Sequence, residues 1–165
     1  MEEKSGLSGE IVLTCYAEDG SINWVEVVKN LITDIGDQYY AQRAVAGVLP
    51  TALSDATKVT CMKLGTGTTA VAKNGLGAGI VTYVSGSNAT FGSTSRTTNA
   101  IVYNASWAPG VATNAALGEI AIAVTNADST SASGDCIARA LISPTRNKQA
   151  SDTLTAAWTH TFLGA

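Results

Sequence analysis

Residues 152–163, which read DTLTAAWTHTFL, alternate between two kinds of side chain. Successive side chains of a β-strand point to opposite faces of a sheet, so this alternation predicts a strand with one apolar face and one hydroxyl-rich face. Threonine suits the exposed face because its branched side chain fits the pleat. The positions predicted to face the core are Leu154, Ala156, Trp158, His160 and Phe162. Such clean alternation is typical of antiparallel sheets with one buried face, so this strand favours a β-rich fold.

The remaining sequence agrees with this constraint. Residues 10–28 predict a hairpin that turns at Asp19-Gly20. One helix is predicted over 34–48, capped by Thr33 or Asp34 and ended by Leu49-Pro50. The further predicted strands lie near 58–64, 80–85, 98–108, 118–126, 135–143 and 152–163, with polar loops at 85–99 and 125–135. We therefore predict a mainly β fold, an antiparallel β-sandwich or barrel with one N-terminal α-helix.

The domain organisation follows from the same pattern. We expect an N-terminal arm over 1–9 and a single β-sandwich domain over 10–165 that includes the helix. The first residues are polar, which predicts no signal peptide. No stretch of about 18 apolar residues occurs, so we expect no membrane partner.

Residues 65–70, Gly-Thr-Gly-Thr-Thr-Ala, match the G-x-G-x-x-G/A pattern of dinucleotide-binding loops. That pattern binds phosphate only where a strand leads in and a helix begins at its end. A credible strand precedes it here, but glycines at 75, 77 and 79 disfavour the helix. We therefore interpret the segment as a Gly/Thr-rich connection with a tight turn at Asn74-Gly75, and we predict no cofactor.

Charge and cysteine content narrow the classes of function. Only 14% of residues are charged, the net charge is −3, and the cations are scattered singly. Direct nucleic-acid binding needs clustered cations, so we expect none. Cys15, Cys61 and Cys136 lie far apart in predicted strands, which favours buried thiols in a chain made in a reducing cytoplasm. The one histidine has no paired ligands nearby, so no metal site is predicted.

No catalytic residues are predicted. His160 lies on an apolar strand face, and no G-x-S-x-G nucleophile elbow occurs. Trp107 and His160 are interpreted either as core residues, the usual role of a tryptophan at a strand end and of a histidine on an apolar face, or as anchors for packing against other proteins, because tryptophan buries much area at little cost in entropy. The interface candidates are Trp24, Trp107, Trp158, His160 and Arg139. Arg139 is also expected to pair with Glu119 or Asp152 across strands.

Several stretches resemble one family. Residues 30–41, 63–72, 105–122 and above all 136–164 (CIARALISPTRNKQASDTLTAAWTHTFLG) are similar to segments of small, β-rich structural proteins of tailed-bacteriophage virions. The closing segment is the most specific, because its Ala-Arg, Ser-Pro, Lys and Asp-Thr-Leu-Thr spacings hold together. The resemblance implies a non-catalytic subunit of a capsid or tail.

Within that family two roles remain open. The first is a capsid decoration (cement) protein on the virion surface, self-associating as a trimer and bound to the major capsid protein. The second is a tail, neck or fibre-attachment subunit. A third possibility, from another class, is a glycan-binding adhesion module with exposed aromatic platforms such as Trp107. In the first two cases the chain is made in the host cytoplasm and located in the virion.

Overall fold

The computed structural model describes residues 6–44, 59–124, 131 and 135–163. Within these ranges there are one α-helix, one short 3-10 helix and nine strands. The helix α1 spans Asp34–Ala44, and the 3-10 turn spans Gly75–Ala78. The strands are β1 Gly6–Tyr16, β2 Ile22–Ile32, β3 Cys61–Gly65, β4 Ala89–Thr90, β5 Ser93–Arg96, β6 Ala100–Trp107, β7 Asn114–Ala123, β8 Cys136–Lys148 and β9 Thr153–Leu163.

All the strands belong to one antiparallel sheet with the order β4-β3-β7-β8-β2-β1-β9-β6-β5. The two end strands, β4 and β5, are separated in the chain only by Phe91-Gly92. A sheet whose opposite edges are joined by so short a link must curl. The backbone N–H of Gly92 donates to Asn104 O of β6 at 2.9 Å, which holds this link against the far side of the sheet. The result is a curled half-barrel, and the predicted mainly β, antiparallel fold with one helix is confirmed.

The core lies on the inner, concave face of this sheet. The predicted alternation of β9 is confirmed there from Leu154 to His160, because Leu154 and Trp158 are fully buried while Thr155 and Thr159 are only half-buried. Phe162, also predicted to face the core, is instead 37% exposed, because it lies next to the end of the strand, where its ring packs against Tyr40. Ile11, Leu13 and Cys15 of β1 are also fully buried. Full-length pairing of β1 with β9, from Gly6 opposite Leu163 to Tyr16 opposite Thr153, joins the first and last strands described.

Helix α1 packs against β2 and β8 and begins where the sequence predicts. Thr33 accepts a hydrogen bond on Oγ1 from the N–H of Gly36 at 3.0 Å, the expected N-cap interaction. Gly36 lies so close to β8 that a Cβ there would be 2.1 Å from Ile137 O. Residues 45–48 of the predicted helix lie outside the described residues.

Three local expectations differ from the structure. Residues 80–85 do not form the predicted strand, because the N–H groups of Val81 and Thr82 donate to a side chain instead of a neighbouring strand. The predicted loop 85–99 contains β4 and β5. Strand β1 begins at Gly6, so residues 6–9 of the predicted arm belong to the sheet, and residues 1–5 lie outside the described residues. The predicted loop 125–135 also lies largely outside them.

Candidate functional site

The outer face of β3, β7 and β8 is covered by residues 66–88 and buries three charged side chains. The strand register places Lys63 of β3 and Arg139 of β8 on either side of Ala121 of β7. It also places Glu119 of β7 opposite Gly65 of β3. Lys63, Glu119 and Arg139 are all fully buried. Buried charges are costly unless they are paired and hydrogen-bonded, so their partners define what this region does.

The Glu119 carboxylate accepts hydrogen bonds from three backbone N–H groups and one guanidinium. The backbone donors are Gly67 at 3.0 Å, Val81 at 3.1 Å and Thr82 at 2.8 Å. Arg139 donates from Nε at 2.9 Å and from Nη2 at 2.7 Å. Such charge-assisted bonds are the stronger kind of protein hydrogen bond. The covering segment is thereby fastened to the sheet through one carboxylate.

The glycines of residues 65–70 allow this close approach. A Cβ on either Gly65 or Gly67 would lie 2.4 Å from Glu119 Oε1. From the other side, Arg139 Nη1 donates to Thr69 O at 2.9 Å and to Gly77 O at 3.1 Å. This glycine-rich loop therefore does hold an anion, but the anion is the protein's own carboxylate. Of the two partners predicted for Arg139, the structure selects Glu119.

A second buried polar group closes the turn between β8 and β9. Asp152 accepts on Oδ2 from the N–H of Gln149 at 2.8 Å and on Oδ1 from Asn23 Nδ2 at 3.1 Å. Lys148 donates from Nζ to Asp152 O at 2.7 Å, and burial lowers the pKa of this lysine. Burial, reinforced by the neighbouring Asp152, raises the pKa of the Cys15 thiol to about 11. These groups stabilise the turn and leave Cys15 an unreactive thiol.

His160 lies in an aromatic cluster in the interior. Its Nδ1 is 2.5 Å from Tyr40 Oη on α1, which in turn lies 3.1 Å from Tyr103 Oη on β6. Burial lowers the pKa of His160 to about 3 and raises that of Tyr103 to about 12. Neutral histidine and neutral tyrosines therefore join the helix to the sheet at physiological pH.

Four of the five predicted interface residues lie inside the chain. Trp107, Trp158, His160 and Arg139 are fully buried, whereas Trp24 is half-buried. The structure brings Trp158 and His160 together, with ring centroids 5.9 Å apart. Arg139 lies on the opposite face of the sheet, with Glu119.

The tryptophan N–H groups show how each ring is held. Trp107 donates to Ser87 O at 2.6 Å, and Trp158 donates to Asn30 Oδ1 at 2.9 Å. Trp24 donates to Asn147 O at 2.8 Å, and the guanidinium of Arg146 lies 5.9 Å from its ring centroid. That the five residues anchor an interface stays a prediction, and among them only Trp24 reaches the outside of the chain.

The outward face of β2, β1, β9 and β6 carries a surface that the sequence interpretation missed. Val12, Val25 and Val27 are 37%, 46% and 54% exposed. Register places Val12 between Val27 and Ala157, so the apolar groups touch across strands. The alternation of Val25 and Val27 with inward-facing neighbours on β2 was the available signal.

The described residues contain no group of three or more His, Cys, Asp or Glu side chains that could hold a metal ion. Within the same ranges, no helix is both long and apolar enough to cross a membrane. The three cysteines are buried and free, as the sequence predicts.

Comparisons with known proteins found no match to this chain among family models, curated proteins or solved structures. The site therefore has to be interpreted from its own geometry.

Proposed function

We propose that this chain is a structural, non-catalytic subunit of a tailed-bacteriophage virion, most specifically a capsid decoration protein that stabilises the shell by bridging capsid subunits. The observation that carries the proposal is the spacing of Ala-Arg, Ser-Pro, Lys and Asp-Thr-Leu-Thr within residues 136–164, on which the resemblance to such proteins depends. That segment forms β8, the turn stabilised by Asp152, and β9. Its distinctive polar residues therefore have structural roles in this chain.

The way in which the charged side chains are bonded within the chain supports the same structural role. Glu119, Arg139, Lys148 and Asp152 are bound within the chain, which leaves them no part in binding a small substrate. The outward sheet face instead offers valines, threonines and small residues. A neutral surface of this kind suits protein–protein packing. In a virion, symmetry repeats each modest contact many times, and the summed avidity is large.

The glycan-binding alternative finds less support. It requires an aromatic platform at the surface, and Trp107 is fully buried with its N–H bonded to Ser87. Trp24 is the half-buried tryptophan, and its ring is approached by Arg146. We therefore retain the virion role.

The decisive experiment compares purified particles with and without this protein. Under heating or chelation, shells that carry the protein should rupture later than shells that lack it. The number of copies per particle should be in the hundreds for a shell protein. Six or twelve copies would instead place it in the tail or neck, and unchanged rupture would overturn the decoration role.

A further inference from the structure

The strongest unexplained feature is the outward surface of β2, β1, β9, β6 and β5, which we call the outer β face. Its central rows run Val27–Val12–Ala157–Asn104–Ser93 and Val25–Thr14–Thr155–Ser106. Three of these residues are exposed valines, of which Val12 and Val27 lie directly opposite each other on neighbouring strands. No described segment covers them, whereas the outer face of β3, β7 and β8 is covered by residues 66–88.

The outer β face is large enough to support a stable contact. The five strands have lengths of 11, 11, 11, 8 and 4 residues, and at a rise of about 3.3 Å per residue and a spacing of about 4.8 Å they give roughly 700 Å². A standard protein–protein interface buries about 800 Å² on each partner. The area of the outer β face therefore lies within the range of a standard interface, about 600–1,000 Å² per partner.

The distribution of charged residues on the outer β face is compatible with binding a second copy of the same chain. The next row begins Lys29–Glu10–Thr159, and Lys29 forms an ion pair with Glu10. The two central rows contain no charged residue. A chain with net charge −3 repels its own copies, and a neutral patch is where that repulsion is smallest. A strongly charged partner would find no complementary charge there.

The shape is also self-complementary. Val25 and Val27 form a ridge along β2, and beside it lies a groove of about 330 Å³ lined by Val12, Thr14, Asn104 and Ala157, among others. A two-fold axis that lies in the plane of the interface, parallel to the strands and between ridge and groove, would bring the ridge of each copy to the groove of the other, the isologous arrangement common in dimers. We propose that the outer β face is a self-association surface on which two copies of this chain pack face to face. This inference does not depend on the virion assignment.

The test is sedimentation of the full chain from 1 to 100 µM, with Val27→Lys as the disrupting variant. Val27 is 54% exposed, so lysine should be tolerated by the fold, which thermal unfolding would verify. Val111→Lys is the matched control, because Val111 is 40% exposed but lies outside the outer β face. We expect a dimer for wild type and V111K, and at least a hundredfold weaker association for V27K.

Monomeric wild type at 100 µM, a V27K protein that still dimerises, or a trimer would each overturn the face-to-face arrangement. A second measurement does not rely on disruption. Spin labels on Val12→Cys, a residue at the centre of the face, should report one short distance between copies, since the native cysteines are buried. If the protein dimerises but does not bind shells, the virion proposal is wrong and the self-association proposal still holds.

Discussion

Replacing Glu119 with glutamine tests whether the buried ion pair fastens residues 66–88 to the sheet. The change keeps the side chain's size but removes its charge and turns one acceptor oxygen into a donor. Five donor groups point at the carboxylate, from Gly67, Val81, Thr82 and twice from Arg139. In the variant some of these donors would face an amide N–H₂, and the fully buried Arg139 would lose its counter-charge. Breaking a buried pair this way costs about 3–5 kcal/mol.

The chain supplies a matched control in Glu26→Gln. Glu26 also accepts from both Nε and Nη2 of an arginine, Arg146, but those side chains are 16% and 31% exposed. Water can replace the lost partner there, so we expect a loss of only about 0.2–1 kcal/mol. Urea unfolding followed by tryptophan fluorescence would measure both. Equal losses in the two variants would refute the argument that burial and the backbone donors make the Glu119 pair special.

Three further predictions follow from the same structure. Gly67→Ala should lower the free energy of unfolding by about 1–3 kcal/mol through crowding against Glu119, whereas Gly92→Ala, whose added Cβ would lie 4.0 Å from Asn104 O, should change it little in the same urea assay. His160 has a pKa lowered to about 3 in the fold against about 6.5 unfolded, so the unfolded state binds the extra proton between these values. Stability should therefore decline as pH falls from 6.5 towards 3, by on the order of 4 kcal/mol from this group. His160→Gln should remove that part of the slope in acid unfolding curves, and an unchanged slope would contradict it. Cys136, whose pKa burial raises to about 12, should resist iodoacetamide in the native protein and react once urea unfolds it; rapid native labelling would show that this region opens.

The strands that alternate clearly could be predicted from sequence. The predicted strands at 98–108 and 152–163 correspond closely to Ala100–Trp107 and Thr153–Leu163. The turn at Asp19-Gly20 was also predicted, and Gly20 has the positive φ of 82° that such a turn favours. These features are local, since each depends on residues a few positions apart.

The structure of residues 66–88 could not be predicted in the same way. Its backbone donors bind Glu119 and its carbonyls bind Arg139, side chains 37 to 70 residues away in sequence. The apolar residues at 80–85 look like a strand because nothing nearby in sequence reveals that a carboxylate will take their N–H groups. Burial of Lys63 likewise depends on the segment that covers it. Long-range polar contacts leave no periodic signal in the sequence.

The pairing of the first described strand with the last has a consequence for biosynthesis. Strand β1 forms its hairpin with β2 early, but its other edge waits for β9, which begins 137 residues after Tyr16. At about 5–20 residues per second, a ribosome needs roughly 7–27 s to make that stretch. Throughout this time Ile11 and Leu13 lack their final neighbours, and the nascent chain presents an open strand edge. Chaperone dependence should accordingly end only when Thr153–Leu163 has left the exit tunnel.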